Sequence, residues 1–247
     1  MFALVAARPV AARELLRDAP RSLWSLSREH KDGWGVALRT ADDWIVHRST
    51  VCAAECPKYD ELAGAVQAQL LIAHVRKKTV GELAIKNTHP FRRGPFVFAH
   101  NGTVRVDALT SGISFERLAE IEGDTDSERL FAFVMTRIDE AGDIERGVVA
   151  AVNQLHAMDA IGSANFLLSR GMRMYAHRLG RSLFALTRHS AVDERRTAAV
   201  VIASERITGE AWRELPERSL TVIDDMTSAP QLRTLIGSPP GQLESHP

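Results

Sequence analysis

The chain has little cysteine, little lysine and no excess charge of either sign. Cys52 and Cys56 are its two thiols in 247 residues, and no further Cys or nearby His completes a zinc pattern around them. Their four-residue spacing suits one face of a helix, which is poor geometry for a disulfide. They read as reduced thiols of a cytoplasmic protein. Lysine occurs only at positions 31, 58, 77, 78 and 86, so the 31 basic residues are mostly Arg, and 31 acidic residues balance them to a formal net charge of +0. That balance gives no reason to expect nucleic acid or an anionic membrane surface as partner. Long apolar runs are missing as well: no segment approaches the ~18 residues a membrane span needs. The start, MFALVAARPVAARELL, is briefly apolar but has no basic residues ahead of a short, broken run, so no signal peptide is expected.

What is present suffices for a sizeable core in one large domain. Phe2–Ala7 has the composition of a buried strand closed by Pro9. Ala11–Arg17 and Ser22–Glu29 have helical composition, and the turn His30–Gly35 (HKDGWG) follows. Val36–Arg39 and Trp44–Arg48 form a hairpin pattern, and Ala53–Gln69 reads as a helix. Thr103–Leu109 is ambiguous between strand and helix. Thr125 with Glu128 three residues on is a capping box for a helix over Asp126–Glu140, and Ile144–Met158 is a second helix. Four strands come next, Asn165–Ser169, Met172–Arg178, Ser182–Thr187 and Ala198–Ser204, with Arg188–Arg196 as one of the turns. Leu220–Ile223 is a candidate further strand. Strands, then two helices, then strands again describe two mostly antiparallel sheets with helices outside, an α+β architecture. From Thr227 the composition shifts to Ser, Pro and Gly, so the domain is expected over 1–226 and a disordered tail over 227–247.

The chemistry concentrates in Ala73–Gly102, AHVRKKTVGELAIKNTHPFRRGPFVFAHNG. Two apolar runs, Leu70–Val75 and Pro95–Ala99, end in His74 and Arg76 and in His100, Asn101 and Gly102. This pattern is either a hairpin with a decorated loop or a site at a sheet edge. Arg76 can hold a carboxylate bidentately with help from the Thr79 hydroxyl, or can pair with one of the chain's own acids. Asn101 and Gly102 offer a side-chain amide beside a backbone N–H, a two-donor oxyanion hole, or else an Asn-Gly turn. Asp126 can accept an ammonium group or simply favour its helix dipole. Taken together they describe a cradle for an α-amino acid whose side chain carries a carbonyl, and glutamine fits. His74, His89 and His100 show no metal-ligand spacing and no joining carboxylate, so they read as buried, hydrogen-bonded histidines. No cofactor is called for.

The blocks HKDGWG (30–35), AHVRKKTVG (73–81), NTHPF (87–91), FAHNG (98–102) and GDTDSE (123–128) resemble, in order, those of the class II glutamine amidotransferases. They are more narrowly similar to the stand-alone subgroup that includes the ergothioneine-pathway γ-glutamyl amidohydrolase, and ASE (203–205) with Trp212 fits too. The resemblance implies the N-terminal nucleophile hydrolase fold, a four-layer αββα sandwich. It implies that Arg76 and Thr79 bind a substrate α-carboxylate, that Asp126 binds its α-amino group, and that Asn101 and Gly102 form the oxyanion hole. His74, Asp32, Gly33, His89 and His100 support them. Val80 stands where some branches have His. The family's nucleophile is a Cys following the initiator Met, but this chain has Phe2 there. A benzyl group cannot attack an amide, and Met1 is expected to stay because its removal needs a small second residue. Neither Cys52 nor Cys56 lies in one of the five blocks. The resemblance therefore implies a binding pseudoenzyme for glutamine or a γ-glutamyl amide. The alternatives are an amidohydrolase with a non-standard nucleophile and a structural subunit whose pocket Phe2 fills. Any ammonia acceptor is expected to be water or a separate partner protein.

Overall fold

The structure is a computed structural model that describes residues 1–192, 195–226 and 229–237. In chain order the strands are β1 (Phe2–Ala11), β2 (Trp34–Arg39), β3 (Trp44–Ser49), β4 (Gln67–Val75), β5 (Phe91–Arg93), β6 (Phe96–Val104), β7 (Gly162–Arg170), β8 (Arg173–Arg178), β9 (Phe184–Val192), β10 (Arg195–Ala203), β11 (Arg213–Glu214), β12 (Ser219–Met226) and β13 (Ala229–Ile236). The α-helices are α1 (Leu23–Leu26), α2 (Pro57–Ala65), α3 (Val106–Thr110), α4 (Phe115–Ala119), α5 (Asp126–Ala141) and α6 (Ile144–Ala157). One sheet runs β11-β9-β10-β1-β4-β2-β3 and the other β13-β12-β8-β7-β6-β5. Every pairing between these strands is antiparallel.

Strand alternation builds the layers. On β1, Ala3 and Val5 join Leu70 and Ile72 of β4, Val97 and Ala99 of β6 and Leu167 of β7 in the core between the sheets. The alternate residues Phe2, Leu4 and Ala6 of β1 and Leu71, Ala73 and Val75 of β4 face outward, against Leu15, Leu16, Leu23 and Tyr59. On the other outer face, Phe98, Phe166 and Tyr175 pack on Phe131 and Val134 of α5 and Val148 and Val152 of α6. The order helix, sheet, sheet, helix is the expected αββα sandwich.

Several local expectations differ from the structure, each for a tertiary reason. β1 continues through Pro9 to Ala11, because its register against β4 shifts between Val5 and Val10 and a missing N–H is tolerated at such a bulge. The helix expected at Ala11–Arg17 is a single π-helical turn, Glu14–Asp18, and the one expected at Ser22–Glu29 shortens to α1, capped by Ser22. Ala53–Gln69 divides into a 3-10 turn (Ala53–Glu55), α2 and the start of β4, so Cys52 and Cys56 do not share a helix face. Of the turn expected over 188–196, the residues up to Val192 belong to β9 and those from Arg195 to β10. The ambiguous Thr103–Leu109 divides into the end of β6 and most of α3. The domain does not end at 226: β13, inside the expected tail, pairs along β12 from Met226↔Ala229 to Leu220↔Ile236 and extends the second sheet. Its Ser/Pro/Gly-rich flanks hid a strand whose stability comes from its neighbour. The remainder of that tail, 238–247, lies outside the described residues.

β4 and β6 are not a hairpin, for they lie in different sheets. Nor is Asn101-Gly102 a turn, because β6 runs on to Val104 and pairs Asn101 with Asn165 and Gly102 with Ala164. Gly102 has φ +137°, and a Cβ there would sit 2.0 Å from the carbonyl oxygen of Ser163. Gly102→Ala is therefore expected to lower unfolding free energy by on the order of 3 kcal/mol, read from a denaturant midpoint shift at constant m-value.

Buried histidines set the response to acid. His177 has no exposure; its Nδ1–H donates to the Ala164 carbonyl at 2.8 Å, and its Nε2 lies 3.0 Å from His156 Nε2. Burial first, and His156 second, push it down to about 3. Burial likewise lowers His74, His89 and His100. Below about pH 6.5 the unfolded chain takes up protons that the folded one refuses, so stability falls as pH drops through that window. A lower melting temperature at pH 5 than at pH 7.5 is expected, with a smaller difference in His177→Gln.

Candidate functional site

The inter-sheet core runs out of apolar residues at one end, and the site begins there. On β4 the inward alternation Leu70, Ile72 continues to His74, and on β6 Val97, Ala99 continues to Asn101. The two side chains meet across the sheets, His74 Nε2 lying 3.1 Å from Asn101 Oδ1. Burial keeps His74 well below its ordinary pKa, so the ring is neutral and its Nε2–H donates to Oδ1. That bond fixes which way the Asn101 amide faces and leaves its Nδ2–H groups as donors. Among the described residues, Nδ2 has no hydrogen-bond partner.

Around this point lies a cavity of about 250 Å³, which Arg76, Thr79, Asn101, Gly102 and Asp126 all line. Arg76 follows β4; its N–H donates to the Gly33 carbonyl at 2.8 Å and its carbonyl accepts from Asp32 N–H at 3.0 Å. Asp32 also accepts the Lys78 N–H at 2.7 Å, so the 30–35 block fixes where the loop after Arg76 starts. The buried guanidinium donates to the carbonyls of Glu82 (2.9 Å) and Val80 (3.1 Å). Among the described residues no carboxylate pairs with it, so the reading as an internal salt bridge does not hold. Burial lowers its pKa while Asp32 and Asp124 oppose the shift. Thr79 is exposed at the rim.

Asp126 opens α5 and is buried, with Oδ2 accepting the Val104 N–H at 2.8 Å. Its other oxygen makes no hydrogen bond among the described residues. The expected capping box is half present. Thr125 Oγ1 accepts the Glu128 N–H at 3.3 Å, but Glu128 turns to the N–H groups of Glu122 and Gly123 (3.0 and 2.7 Å) and to Arg93. The carboxylate thereby ties the 120s loop to α5. Asn87 holds the same loop from the other side, accepting from Asp124 N–H at 3.1 Å and donating to the Asp124 carboxylate.

The three histidines of the stretch do not converge on a common point. His74 and His89 stack edge to face at 4.5 Å, and both ring nitrogens of His89 lack partners. His100 lies on the opposite face of β6, its Nδ1 2.9 Å from Ser127 Oγ and its Nε2–H donating to the Ser163 carbonyl at 3.0 Å. The 87–91 loop packs against the 30–35 block so closely that a Cβ on Gly35 would lie 2.1 Å from the His89 carbonyl oxygen.

Phe2 does not fill the cavity. Strand alternation sends its ring, fully buried, into the outer core with Trp34, Ala73 and Val75. Met1 lines the cavity in its place, its amino group 3.2 Å from Ser204 Oγ and pushed down to about 5 by burial. The expectation that Phe2 fills the pocket is therefore corrected. Arg181, Ser204 and Glu205 also line the cavity but were not among the site residues read from sequence. The ASE segment was the signal for two of them; Arg181 follows β8 in a loop that carries no motif.

This set can hold a zwitterion: Arg76 on one side, Asp126 on another, and amide donors at Asn101 toward a carbonyl. Comparisons with known proteins agree in kind. The family model described as glutamine amidotransferases class-II matches residues 21–235. A γ-glutamyl-hercynylcysteine sulfoxide hydrolase of Mycobacterium tuberculosis is 29% identical over 229 residues, covering 87% of this chain and 88% of its own. An uncharacterized protein of Methanocaldococcus jannaschii is 27% identical over 79% of this chain, and a putative glutamine amidotransferase of Haemophilus influenzae is 30% identical over 60% of it. The matches span only 62% and 52% of the lengths of those two relatives. The fold is that of a class-II domain protein from Silicibacter pomeroyi (TM-score 0.64, 22% identity, 94% of this chain and 98% of the other). It is also that of the glutamine phosphoribosylpyrophosphate amidotransferase of B. subtilis (TM-score 0.65, 20% identity, 94% of this chain and 48% of the other). With the family model matching most of its length, this chain belongs to the class II glutamine amidotransferases.

Proposed function

We propose that the cavity binds glutamine or a γ-glutamyl amide and that the protein acts as a ligand-binding pseudoenzyme. Arg76, with Thr79 at the rim, takes the α-carboxylate. Asp126 takes the α-ammonium through the oxygen that Val104 leaves free. Asn101 Nδ2, with the Gly102 N–H, polarises the side-chain carbonyl. The observation that carries this reading is the His74–Asn101 bond, which turns amide donors into a cavity already flanked by one cation and one anion. The step that is missing is attack: Phe2 stands at the nucleophile position and its side chain faces the opposite core. From its relatives this chain takes only the class of substrate.

A second reading rests on a separate observation. The Met1 amine, neutral at pH 7, lines the cavity. There it could accept a proton from an attacking water and make the protein a slow amidohydrolase. Binding is supplied by the same residues in both readings; they differ in turnover.

Calorimetry with glutamine is expected to show binding that weakens about 50-fold in Arg76→Ala and in Asp126→Asn, and about tenfold in His74→Phe, which removes the donor orienting Asn101. No heat at millimolar ligand would sink the binding reading. A glutaminase assay is expected to give no ammonia; turnover that persists in Cys52→Ala/Cys56→Ala would establish the hydrolase instead. Phe2→Cys is expected to cost about 3 kcal/mol of stability through loss of the buried ring. It is also expected to permit Met1 removal and to bring ammonia release from glutamine. If the processed, folded variant stays inactive, the remaining site has lost more than its nucleophile.

A further inference from the structure

The end of β10 lies beside the start of β1, and the residues there meet at the cavity. Ala203 pairs with Phe2, and both belong to the outer core. Ile202 and Ala3 face the other way, into the core between the sheets. Strand alternation therefore sends Ser204 and Met1 to the inter-sheet side, and both line the cavity together with Asn101 and Gly102. The Ser204 N–H donates to the Met1 carbonyl at 3.0 Å, and the Ser204 carbonyl accepts the Ser182 hydroxyl at 3.1 Å, so the main chain at this position is held on both sides. Among the described residues the Ser204 side chain bonds only to Met1, with Oγ 3.2 Å from the amine nitrogen and 3.3 Å from the carbonyl oxygen.

A serine hydroxyl within hydrogen-bond reach of an unprotonated amine is a nucleophile beside its base. Burial, opposed by Glu205, pushes the Met1 amine down to about 5, so at neutral pH it carries a lone pair. Turning the hydroxyl hydrogen from the Met1 carbonyl to the amine nitrogen aligns the pair without moving a heavy atom. Glu205 does not compete as a base, since its carboxylate accepts from Arg21 Nε at 2.8 Å.

We infer that Ser204 Oγ is an acyl-accepting nucleophile served by the Met1 amine, and that the pair acts on γ-glutamyl esters or thioesters. This rests on the γ-glutamyl reading of the cavity and adds a reacting group to it. Oγ bonds to the γ-carbonyl carbon as its proton passes to the Met1 nitrogen, and the developing oxyanion meets Asn101 Nδ2 and the Gly102 N–H. The bond to the alcohol or thiol then breaks, and that group leaves with the proton from Met1. Water attacks the resulting γ-glutamyl-serine ester and gives a proton to the Met1 amine, and Oγ takes it back as glutamate departs. The weakness of the base sets the substrate class. An amine held near 5 lies below the range in which a general base works best at neutral pH, so the hydroxyl is only weakly activated. That suits an ester carbonyl and not the resonance-stabilised carbonyl of an amide, in keeping with the absence of ammonia expected from glutamine.

The test uses glutamate γ-methyl ester on the full chain, with methanol release and peptide mass as readouts. Hydrolysis above the buffer rate is expected, and a fall on the order of 100-fold in Ser204→Ala. Ser204→Cys, quenched in acid during reaction, is expected to carry one γ-glutamyl group on the peptide containing position 204. Melting temperatures show whether Ser204→Ala is folded; where it is not, the position of the acyl group in Ser204→Cys decides. Hydrolysis that folded Ser204→Ala retains in full overturns the assignment, as does an acyl group found on any other peptide. A protein that binds glutamine by calorimetry yet leaves the ester intact overturns this inference while the γ-glutamyl site stands. Binding of neither glutamine nor the ester overturns the first reading and this one with it.

Discussion

One hydrogen bond across the two sheets organises the site. His74 belongs to the seven-stranded sheet and Asn101 to the six-stranded one, and their side chains meet where the apolar filling between the sheets ends. Burial, with His89 beside it, keeps the ring neutral, and its Nε2–H donates to Oδ1. Burial removes the proton, the remaining N–H donates, and the Asn101 amide is left with its donors turned outward. The inter-sheet packing that stabilises the sandwich is thus also what orients the polar groups of the cavity.

The loops that complete the cavity are tied to this frame by carboxylates and amides, and little by apolar contact. Asp32 holds the start of the loop after Arg76, Asn87 and Asp124 hold its far side, and Glu128 collects the N–H groups ahead of α5. Each takes up backbone groups that a buried loop would otherwise leave unpaired. Arg76 does the same by donating to two loop carbonyls, yet it meets no carboxylate of the chain's own among the described residues.

Strand parity decides which residues of the first strand face the cavity. Met1, Ala3 and Val5 share one face of the chain's start, and Phe2 and Leu4 the other. The Phe2 ring is therefore spent on the outer core, where its full burial is worth about 2 to 3 kcal/mol, and the cavity receives Met1. In the proposed function, holding and polarising a carbonyl would draw on residues of both sheets and the α5 terminus. Attack needs one group at one strand end.

The sequence by itself determined the element order, the two amphipathic helices α5 and α6, and the polar residues Arg76, Asn101, Gly102 and Asp126, because period and residue type are local properties. It also determined the anomaly at Phe2, since a benzyl side chain has no nucleophile in any fold. Tertiary structure alone decided that Leu70–Val75 and Pro95–Ala99 belong to different sheets, and that Asn101-Gly102 lies inside a strand. It decided that 229–236 pairs as a strand despite its composition, because strand stability resides in the neighbour and not in the segment. It also decided which way Phe2 faces and that Arg181 lines the cavity beside Asn101. Those are facts of long-range register, and no local spacing in the chain encodes them.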